Sequence, residues 1–494
     1  MAFKRYDQKQ TFLFPPSLDD FVGMNHPART ISEVVDTLDF SRFLDKYSVR
    51  GASSYDPWMM LKILFYAYYS GKISSREIAH CLESDTGFMF LAGMQKPDHR
   101  TICRFRTAHR DGIEDAFRQI VVLCMGLGMV GLGNVSFDGT RIRASASGKK
   151  TKDKDALDKQ IKKLLDESEE KDREEDELYG DRSPYEMPPD LRDPKERKRR
   201  IQEELEKLRK AKERLEESGE KQTNLTDPDA RLMRTRQGIK PAFNGQTAVD
   251  GKCQVIVAAR LVVKGTDTAE LVPMIEETIV NTGRRPWIVT ADSGYSSLDN
   301  LEYLERNKIL GLIPDVMYRV EKLGKTKYYP RSLFKYNAME DTYTCPMGKV
   351  LAHSGSTTYR RDKLESYRCK EKECKECPSR TKCTDGEFRK ISWNMRDRLV
   401  TGMRTRLDTR LGETIYKERM SIVEPVYGEM KKNKRFQQFN LRSIEKTSVE
   451  FILLCLTHNL KKIHNHLKTL TETGKKTMRL TDRNGKKSQA SHII

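Results

Sequence analysis

The sequence has no long apolar run. None of its segments approaches the roughly 20 apolar residues that a membrane-spanning helix needs. Its first residues, MAFKRYDQKQ, have no apolar segment of the kind found in secretion signals. We therefore expect no membrane contact and a cytoplasmic location. Because thiols stay reduced in that compartment, the ten cysteines are expected to be free or to bind metal.

Histidine and hydrophobic residues are also scarce. The nine histidines follow no catalytic pattern, and hydrophobic residues make up only 37% of the chain against 33% charged residues. Part of the chain should therefore lie outside any core. Lysine and arginine outnumber the acidic residues, giving a net charge of +19. This excess indicates a polyanionic partner, most commonly nucleic acid; the alternative is a basic soluble protein without one.

The amino-terminal region predicts a helical DNA-binding domain. Residues 1–25 are expected to form an arm, and residues 26–130 have apolar residues at helical spacing. In the segment KPDHRTICRFRTAHRD, Asp98 is a candidate N-cap of a helix that carries Arg100 and Arg104. Short helices that end in a basic one are typical of helix-turn-helix units. The alternative is a small helical bundle whose arginines are merely solvated.

Residues 149–222 are dense in Lys, Glu and Arg and contain two apolar seams. The seams consist of Leu157, Ile161 and Leu164 in the first half and Ile201, Leu205, Leu208 and Leu215 in the second. This spacing predicts an antiparallel coiled-coil hairpin, interrupted by the stretch RSPYEMPPDLRDP. The alternative is a largely disordered charged segment. Either way, the region is expected to be an insertion rather than part of a catalytic core.

Residues 131–315 alternate strand and helix patterns outside that insertion, which predicts an α/β fold with a mixed sheet. Two predicted strands, VSFDG and WIVTADSG, end in Asp138 and Asp292. Ligand sites of open α/β sheets lie at strand ends, and carboxylates there suit Mg²⁺ and a phosphodiester. Two such ions can assist in-line displacement at phosphorus. The alternative is that both aspartates are turn residues.

Basic residues follow the first of these aspartates. Arg141 and Arg143 are predicted to contact a DNA backbone, although surface strands also carry arginine. Between the two carboxylates, TDTAELVPMIEETIVN predicts a helix with Thr266 or Asp267 near its cap.

A third acidic ligand is expected from the helical segment YKERMSIVEPVYGEMKKN. It offers Glu418, Glu424 and Glu429, and Glu424 shares a helix face with Lys431. Tyr416 and Arg419 lie close by in the sequence and could hold phosphate oxygens. The alternative is a solvated amphipathic helix.

The motifs FDGT, ADSGY and Y-x2-R-x4-E-x6-K, in this order, resemble those of the DDE transposases of bacterial insertion sequences. The resemblance is to the branch with an RNase H-like core and a Tyr-Arg-Glu-Lys signature. The segments YDPWMMLKILFYAYYSGKISSREIA and PDHRTICRFR resemble the helical domain that precedes the core in this group. The similarity covers most of residues 20–465, and the order and spacing of the motifs make it specific.

This resemblance implies a catalytic triad of Asp138, Asp292 and Glu424 that holds two Mg²⁺ ions, or Mn²⁺ in their place. It implies phosphate contacts from Tyr416, Arg419 and Lys431. The expected activity is binding of the terminal inverted repeats, cleavage at the element ends and transfer of the 3′-hydroxyl ends to target DNA. Double-stranded DNA is the expected partner, with a DNA-induced homodimer and a nucleoid-associated location. The alternatives are a non-catalytic DNA-binding regulator derived from a transposase and an RNase H-like structure-specific nuclease.

One feature departs from the family signature. Four residues separate Arg419 from Glu424, where the signature has three. On an ideal helix the two side chains then point roughly 140° apart. Pro425 disfavours the helical conformation at Glu424, so a kink there could return Arg419 to the site.

Residues 316–397 contain half of the cysteines. Cys369, Cys374, Cys377 and Cys383 lie within CKEKECKECPSRTKC, and Cys345 precedes them. Four such thiolates could bind a structural Zn²⁺ that stabilises a small insertion. The alternative is reduced cysteines packed in a small domain. Residues 398–470 predict the helices that complete the core, and residues 471–494 predict a basic, disordered tail.

Overall fold

The structure is a computed structural model that describes residues 17–47, 54–179, 194–359, 362–394 and 396–472. Most of the predicted arm, most of the proline-containing stretch between the charged helices and nearly all of the predicted tail lie outside the described residues. Within the described residues, no helix is both long enough and apolar enough to cross a membrane.

The amino-terminal part is helical. Its helices are α1 (Pro27–Thr37), α2 (Ser41–Leu44), α3 (Pro57–Tyr69), α4 (Ser75–Ser84), α5 (Thr86–Ala92), α6 (His99–Ala108) and α7 (Arg110–Gly126). Three of them begin at an aspartate whose carboxylate accepts hydrogen bonds from the first turn, which satisfies otherwise unpaired N–H groups. The predicted cap at Asp98 is confirmed, since its carboxylate accepts from the Thr101 amide at 2.7 Å.

A mixed sheet follows, so the predicted α/β architecture is confirmed. Its strands, with a small pair at the base of the insertion, are β1 (Asn134–Arg143), β2 (Thr151–Asp153), β3 (Gln222–Asn224), β4 (Arg231–Thr235), β5 (Gly238–Asp250), β6 (Ile256–Val262), β7 (Ile288–Ala291) and β8 (Leu310–Leu312). The order is β6-β5-β1-β7-β8, with β4 also paired to β5. Strand β5 is antiparallel to β1, whereas β7 is parallel to β1 and β8 is parallel to β7.

The charged insertion forms two helices, α8 (Lys154–Tyr179) and α9 (Pro194–Ser218). Leu157, Leu208 and Leu215 are buried between them. The start of α8 is paired with the end of α9, through Lys154 with Glu216 at 2.7 Å. The helices are therefore antiparallel, and β2 and β3 join their bases by antiparallel pairing.

Two helices cover the sheet and connect its later strands, α10 (Leu271–Thr282) and α11 (Leu298–Arg306). The cysteine-rich segment then contributes α12 (Tyr318–Lys322), β9 (Lys335–Asn337), β10 (Thr342–Thr344), β11 (Val350–Tyr359), β12 (Asp362–Cys369), α13 (Glu371–Lys375) and β13 (Lys390–Asn394). Its five strands form an antiparallel sheet in the order β13-β12-β11-β10-β9. This sheet has its own small core, which includes Tyr343, Leu351, Tyr367 and Ile391.

The last elements are α14 (Asp397–Asp408), α15 (Arg410–Gly428), a π-helical turn (Glu429–Asn433) and α16 (Ile444–Glu472). Helix α16 packs on α3, α7 and β6, so it joins the helical part to the sheet in one continuous core. Arg106 of α6 is buried and contacts Glu450 of α16 at 3.3 Å and the Tyr68 hydroxyl at 2.7 Å. This arginine of the predicted basic helix is thus a core residue.

Candidate active site

The two predicted aspartates meet where β1 and β7 separate. Phe137 pairs with Ala291 in the parallel register, so Asp138 and Asp292 follow at neighbouring positions. Asp292 leaves the sheet and accepts a hydrogen bond from the Gly294 amide at 2.9 Å. The prediction that Asp138 ends its strand is wrong. Strand β1 continues to Arg143 because the long strand β5 pairs with it throughout.

Arg419 lies directly on this site. Its Nη2 donates to Asp138 Oδ1 at 3.0 Å, and both side chains are largely buried. Helix α15 runs through Pro425 as one helix from Arg410 to Gly428, and Arg419 reaches Asp138 from it. Pro425 has no N–H group to donate to the Ser421 carbonyl one turn earlier. That carbonyl instead accepts a hydrogen bond from Gln254 Nε2 at 2.8 Å.

Glu424 and Lys431 share a cavity with Asp138. All three line a cavity of about 470 Å³ that Asp292 does not line. Glu424 is exposed and has no hydrogen bond or ion pair to any described residue. Lys431 Nζ donates to the Arg141 carbonyl at 3.1 Å. Burial and the nearby Arg236 lower the pKa of Lys431 to about 8, while Asp138 acts in the opposite direction.

Tyr416 lies on the Asp292 side. It packs against a small apolar cluster that includes Leu312 and Met403. Burial raises the pKa of its hydroxyl, with Arg419 opposing the shift and Asp292 adding to it. Tyr416 is therefore a neutral hydrogen-bonding group at neutral pH.

The other predicted basic residues are dispersed. Arg141 is exposed, lines the cavity and donates to the Gly265 carbonyl at 2.8 Å. Arg143 is half-buried, and its backbone pairs with Gln437 and Phe439. Arg100 and Arg104 are exposed on α6, which packs on α3, α4 and α16. The structure does not bring these two arginines to the carboxylates.

A third aspartate, Asp267, lies beside Asp138 and was not predicted to belong to the site. Its Oδ1 accepts hydrogen bonds from Asn244 Nδ2 at 2.7 Å and Gln246 Nε2 at 2.6 Å. The predicted capping role is wrong, because α10 begins only at Leu271 and Asp267 lies in the preceding loop. A signal was present in the strand FNGQTAVD, where Asn244 and Gln246 share one face of an otherwise buried strand.

The carboxylates affect one another electrostatically. Burial raises the pKa of Asp138 to about 6, Arg419 opposes this, and Asp292 and Asp267 raise it further. A cation at this position would relieve that repulsion, and the donors are oxygen atoms of the type that Mg²⁺ prefers. The residues therefore fit such an ion. As they stand, no three His, Cys, Asp or Glu side chains converge as a formed metal site anywhere in the described part of the chain.

The cysteines predicted to bind zinc share one cavity, although they form no completed metal site among the described residues. Cys369, Cys374, Cys377 and Cys383 line one small cavity with Cys345. The Lys349 amide donates to Cys345 Sγ at 3.3 Å, and the Arg389 amide donates to Cys374 Sγ at 3.4 Å. All ten cysteines are free.

Two protein-family models match the chain. A Transposase domain (DUF772) matches residues 16–108, and a Transposase DDE domain matches residues 344–464. Both matches are to transposase domains, and together they support an insertion-sequence DDE transposase. The second match includes Arg419, Glu424 and Lys431, whereas Asp138 and Asp292 lie between the two matched ranges. No curated protein matches the chain.

Proposed function

We propose that this transposase binds the terminal inverted repeats of its own insertion sequence, hydrolyses the phosphodiester at each end and transfers the freed 3′-hydroxyl to target DNA. The observation that carries the proposal is the position of Asp138. It adjoins Asp292 across β1 and β7, contacts Arg419 at 3.0 Å and shares a cavity with Glu424 and Lys431.

The sheet topology supports an RNase H-like core for this chemistry. Strands β1, β5 and β6 form an antiparallel meander, and β7 and β8 extend the sheet in parallel on the other side of β1. In this proposal the charged hairpin and the cysteine-rich segment are insertions, and α14 to α16 complete the core.

Asp138, Asp292 and Glu424 would hold two Mg²⁺ ions, or Mn²⁺ in their place. When bound, these ions would activate the attacking oxygen and stabilise the leaving oxygen at phosphorus. A carboxylate ligand must be ionised to bind a metal ion. Arg419 favours the ionised form of Asp138 and holds its carboxylate in position. The Tyr427 hydroxyl donates to the Asp138 carbonyl at 2.6 Å and fixes the backbone beside it.

Basic residues around the cavity would hold the DNA backbone. Arg141, Arg234, Arg236 and Lys431 all line it. Arginine and lysine bind phosphate oxygens through charge-assisted hydrogen bonds, which position DNA without reading its sequence. The low pKa of Lys431 leaves it only partly charged near pH 8, and an incoming phosphate would favour its protonated form. Arg143 would contact the same DNA backbone.

DNA recognition would involve the helical domain, with Arg100 and Arg104 on α6 facing the duplex. The net charge of +19 supports binding to the element ends and to target DNA. Pairing of two ends would give a DNA-induced homodimer, associated with the nucleoid.

We also propose that the cysteine-rich segment binds one structural Zn²⁺. The cysteines around the shared cavity, and the two backbone amides that point at sulfur, support this proposal. Purified protein should carry about one zinc per chain. Cys374→Ser and Cys377→Ser should lose it, and Cys253→Ser should keep it. A chain without zinc whose cysteines titrate freely in the native state would reject the proposal.

The function is tested with duplexes that carry the inverted repeats flanking the gene. We expect cleavage at the repeat ends and joining to a target duplex, both dependent on Mg²⁺. Asp138→Asn and Asp292→Asn should abolish both steps and leave end binding intact. Cleavage without joining would favour a structure-specific nuclease. Binding without cleavage would favour a non-catalytic regulator.

A further inference from the structure

We infer that Asp267 is a further metal-ligating carboxylate of the active site, additional to Asp138, Asp292 and Glu424. This inference rests on the proposed function, because it assigns one more ligand to the same metal-dependent reaction.

The first argument is the way in which Asp267 is held. Asn244 and Gln246 are 1% and 0% exposed, and both donate their side-chain amides to Oδ1 of Asp267. A buried amide is costly unless it is hydrogen-bonded, so these two groups favour a fixed carboxylate at this position. Gln246 is itself held by the buried Tyr295, whose hydroxyl donates to its Oε1. The orientation of Asp267 is therefore set by a rigid strand.

The second argument is the free oxygen. Oδ2 of Asp267 accepts no hydrogen bond from any described residue, while Oδ1 accepts two. The carboxylate thus keeps one oxygen for a ligand. It lies in a loop that contacts the segment after Asp292, since the Thr268 hydroxyl donates to the Gly294 carbonyl at 3.2 Å.

The third argument is the space around Asp267. A Cβ built on Gly139, directly after Asp138, would lie 2.7 Å from Asp267 Oδ1. A Cβ built on Gly294 would lie 3.0 Å from Asp292 Oδ1 and 3.3 Å from Asp267 Oδ2. Gly139 after Asp138 and Gly294 after Asp292 have no side chain, and this leaves room for the carboxylate of Asp267.

A separate observation points to a ligand here. Asn244 Oδ1 is buried and has no hydrogen-bond partner in the described part of the chain. It would lie 3.0 Å from a Cβ at Gly139, so it faces the same space between β1 and Asp267. An unpaired buried acceptor is unfavourable. Water that accompanies a hydrated cation would supply the missing donor.

The test is Mn²⁺ binding to the full chain without DNA, measured as free Mn²⁺ by electron paramagnetic resonance. Asp267→Asn keeps the size of the side chain and an oxygen for the two amides, but it removes the charge. We expect its Mn²⁺ affinity to fall at least on the order of 10-fold to 100-fold, the loss typical of groups that support a metal site. Glu276→Gln, an exposed residue of α10, is the matched control and should bind as wild type does.

The outcomes separate the inference from the proposed function. If Asp138→Asn and Asp292→Asn lose Mn²⁺ but Asp267→Asn binds it normally, Asp267 is not a ligand and the proposed function stands. If the wild-type chain binds no Mn²⁺, the metal-dependent function fails and this inference fails with it. Thermal unfolding with and without Mn²⁺ identifies a variant that is misfolded. A folded Asp267→Asn protein without Mn²⁺-dependent stabilisation supports the inference.

Discussion

Arg419 and Asp138 form an ion pair of 3.0 Å that connects helix α15 to the central strand of the sheet. The side chains are only 11% and 21% exposed, so solvent screens the pair weakly. Arg419 Nε is buried without a hydrogen-bond partner among the described residues. The guanidinium therefore donates one N–H group to a carboxylate and keeps a second N–H group, at Nε, without a partner among the described residues.

This relationship predicts that Arg419→Gln reduces end cleavage on the order of 10-fold or more, the size expected for loss of one electrostatic donor at a reacting centre. End binding should be unchanged, because most phosphate contacts remain. Lys417→Gln is the control, since Lys417 is exposed on the same helix and paired with Glu413. Wild-type cleavage by Arg419→Gln would remove this residue from the site.

The third acidic ligand is tested by comparing Glu424 with Glu429. Glu429 is buried and paired with His458 at 2.9 Å and Lys461 at 3.1 Å. Burial alone would raise its pKa, but these partners lower it to about 2. Glu424→Gln should abolish cleavage without changing stability.

Glu429→Gln should instead lower the free energy of unfolding by about 3 kcal/mol, because it removes one partner of a buried charge network. Its folded fraction should still cleave. Denaturant titration and cleavage per folded molecule measure the two effects. The opposite pattern, with Glu424→Gln active and folded Glu429→Gln inactive, would show that Glu424 is not the ligand.

DNA affinity should depend strongly on salt, because each neutralised phosphate releases counterions. Arg100→Gln and Arg104→Gln should each weaken binding to all sequences to a similar degree and reduce the salt slope by about 1. Arg118→Gln, at an exposed position of α7 and paired with Asp115, is the control. Affinity that stays flat between low and physiological salt would contradict the proposed basic DNA surface.

The charged hairpin should be removable. Its bases are joined by β2 and β3, where Thr151 pairs with Asn224, so a short linker can bridge the gap. Replacing residues 155–218 by a Gly/Ser linker should leave a folded protein that binds and nicks one end. Joining of paired ends should be impaired. Insoluble protein would mean that the hairpin stabilises the core, and unaffected joining would mean that it only acts as a spacer.

Glu277, which lies outside the candidate active site, predicts that the free energy of unfolding depends on pH. It accepts a hydrogen bond from the Ala259 amide at 3.1 Å, and burial raises its pKa to about 7. Below about pH 4 the carboxyl is protonated in both folded and unfolded chains. As pH rises towards 7 the unfolded chain ionises first, so the folded state loses stability. Glu277→Gln removes this loss, and its advantage in unfolding free energy over wild type should grow by about 3 kcal/mol between pH 4 and pH 8. A pH-independent difference would contradict the raised pKa.

Some parts of the site could be predicted because their signals are local. Asp138 and Asp292 follow apolar strand patterns, and the parallel pairing of those two segments places the aspartates at neighbouring positions. Asp98 precedes its helix as a cap should. Arg419 was harder to predict, because its angle to Glu424 on an ideal helix argues against a shared site. In the structure Arg419 pairs with Asp138, and Glu424 lines a cavity that Asp138 also lines, so both residues of α15 reach Asp138.

Other parts depend on contacts that no local pattern reveals. Asp267 resembles a helix cap in sequence, and only the pairing of β5 with β1 brings Asn244 and Gln246 beneath it. Arg106 has the same local pattern as Arg104, yet it is buried because Glu450 lies opposite on α16. Residues far apart in sequence decide both cases.

The buried contact between Arg106 and Glu450 has a consequence for the distance along the DNA between the recognised sequence and the cleaved bond. It joins helix α6 to α16, and α16 packs against β6 of the mixed sheet. The helix proposed to bind the terminal repeat and the carboxylates proposed to cut the strand are then parts of one packed core. The protein itself would thus fix the number of base pairs between the recognised sequence and the cleaved bond, because the two sites would be held at a constant distance.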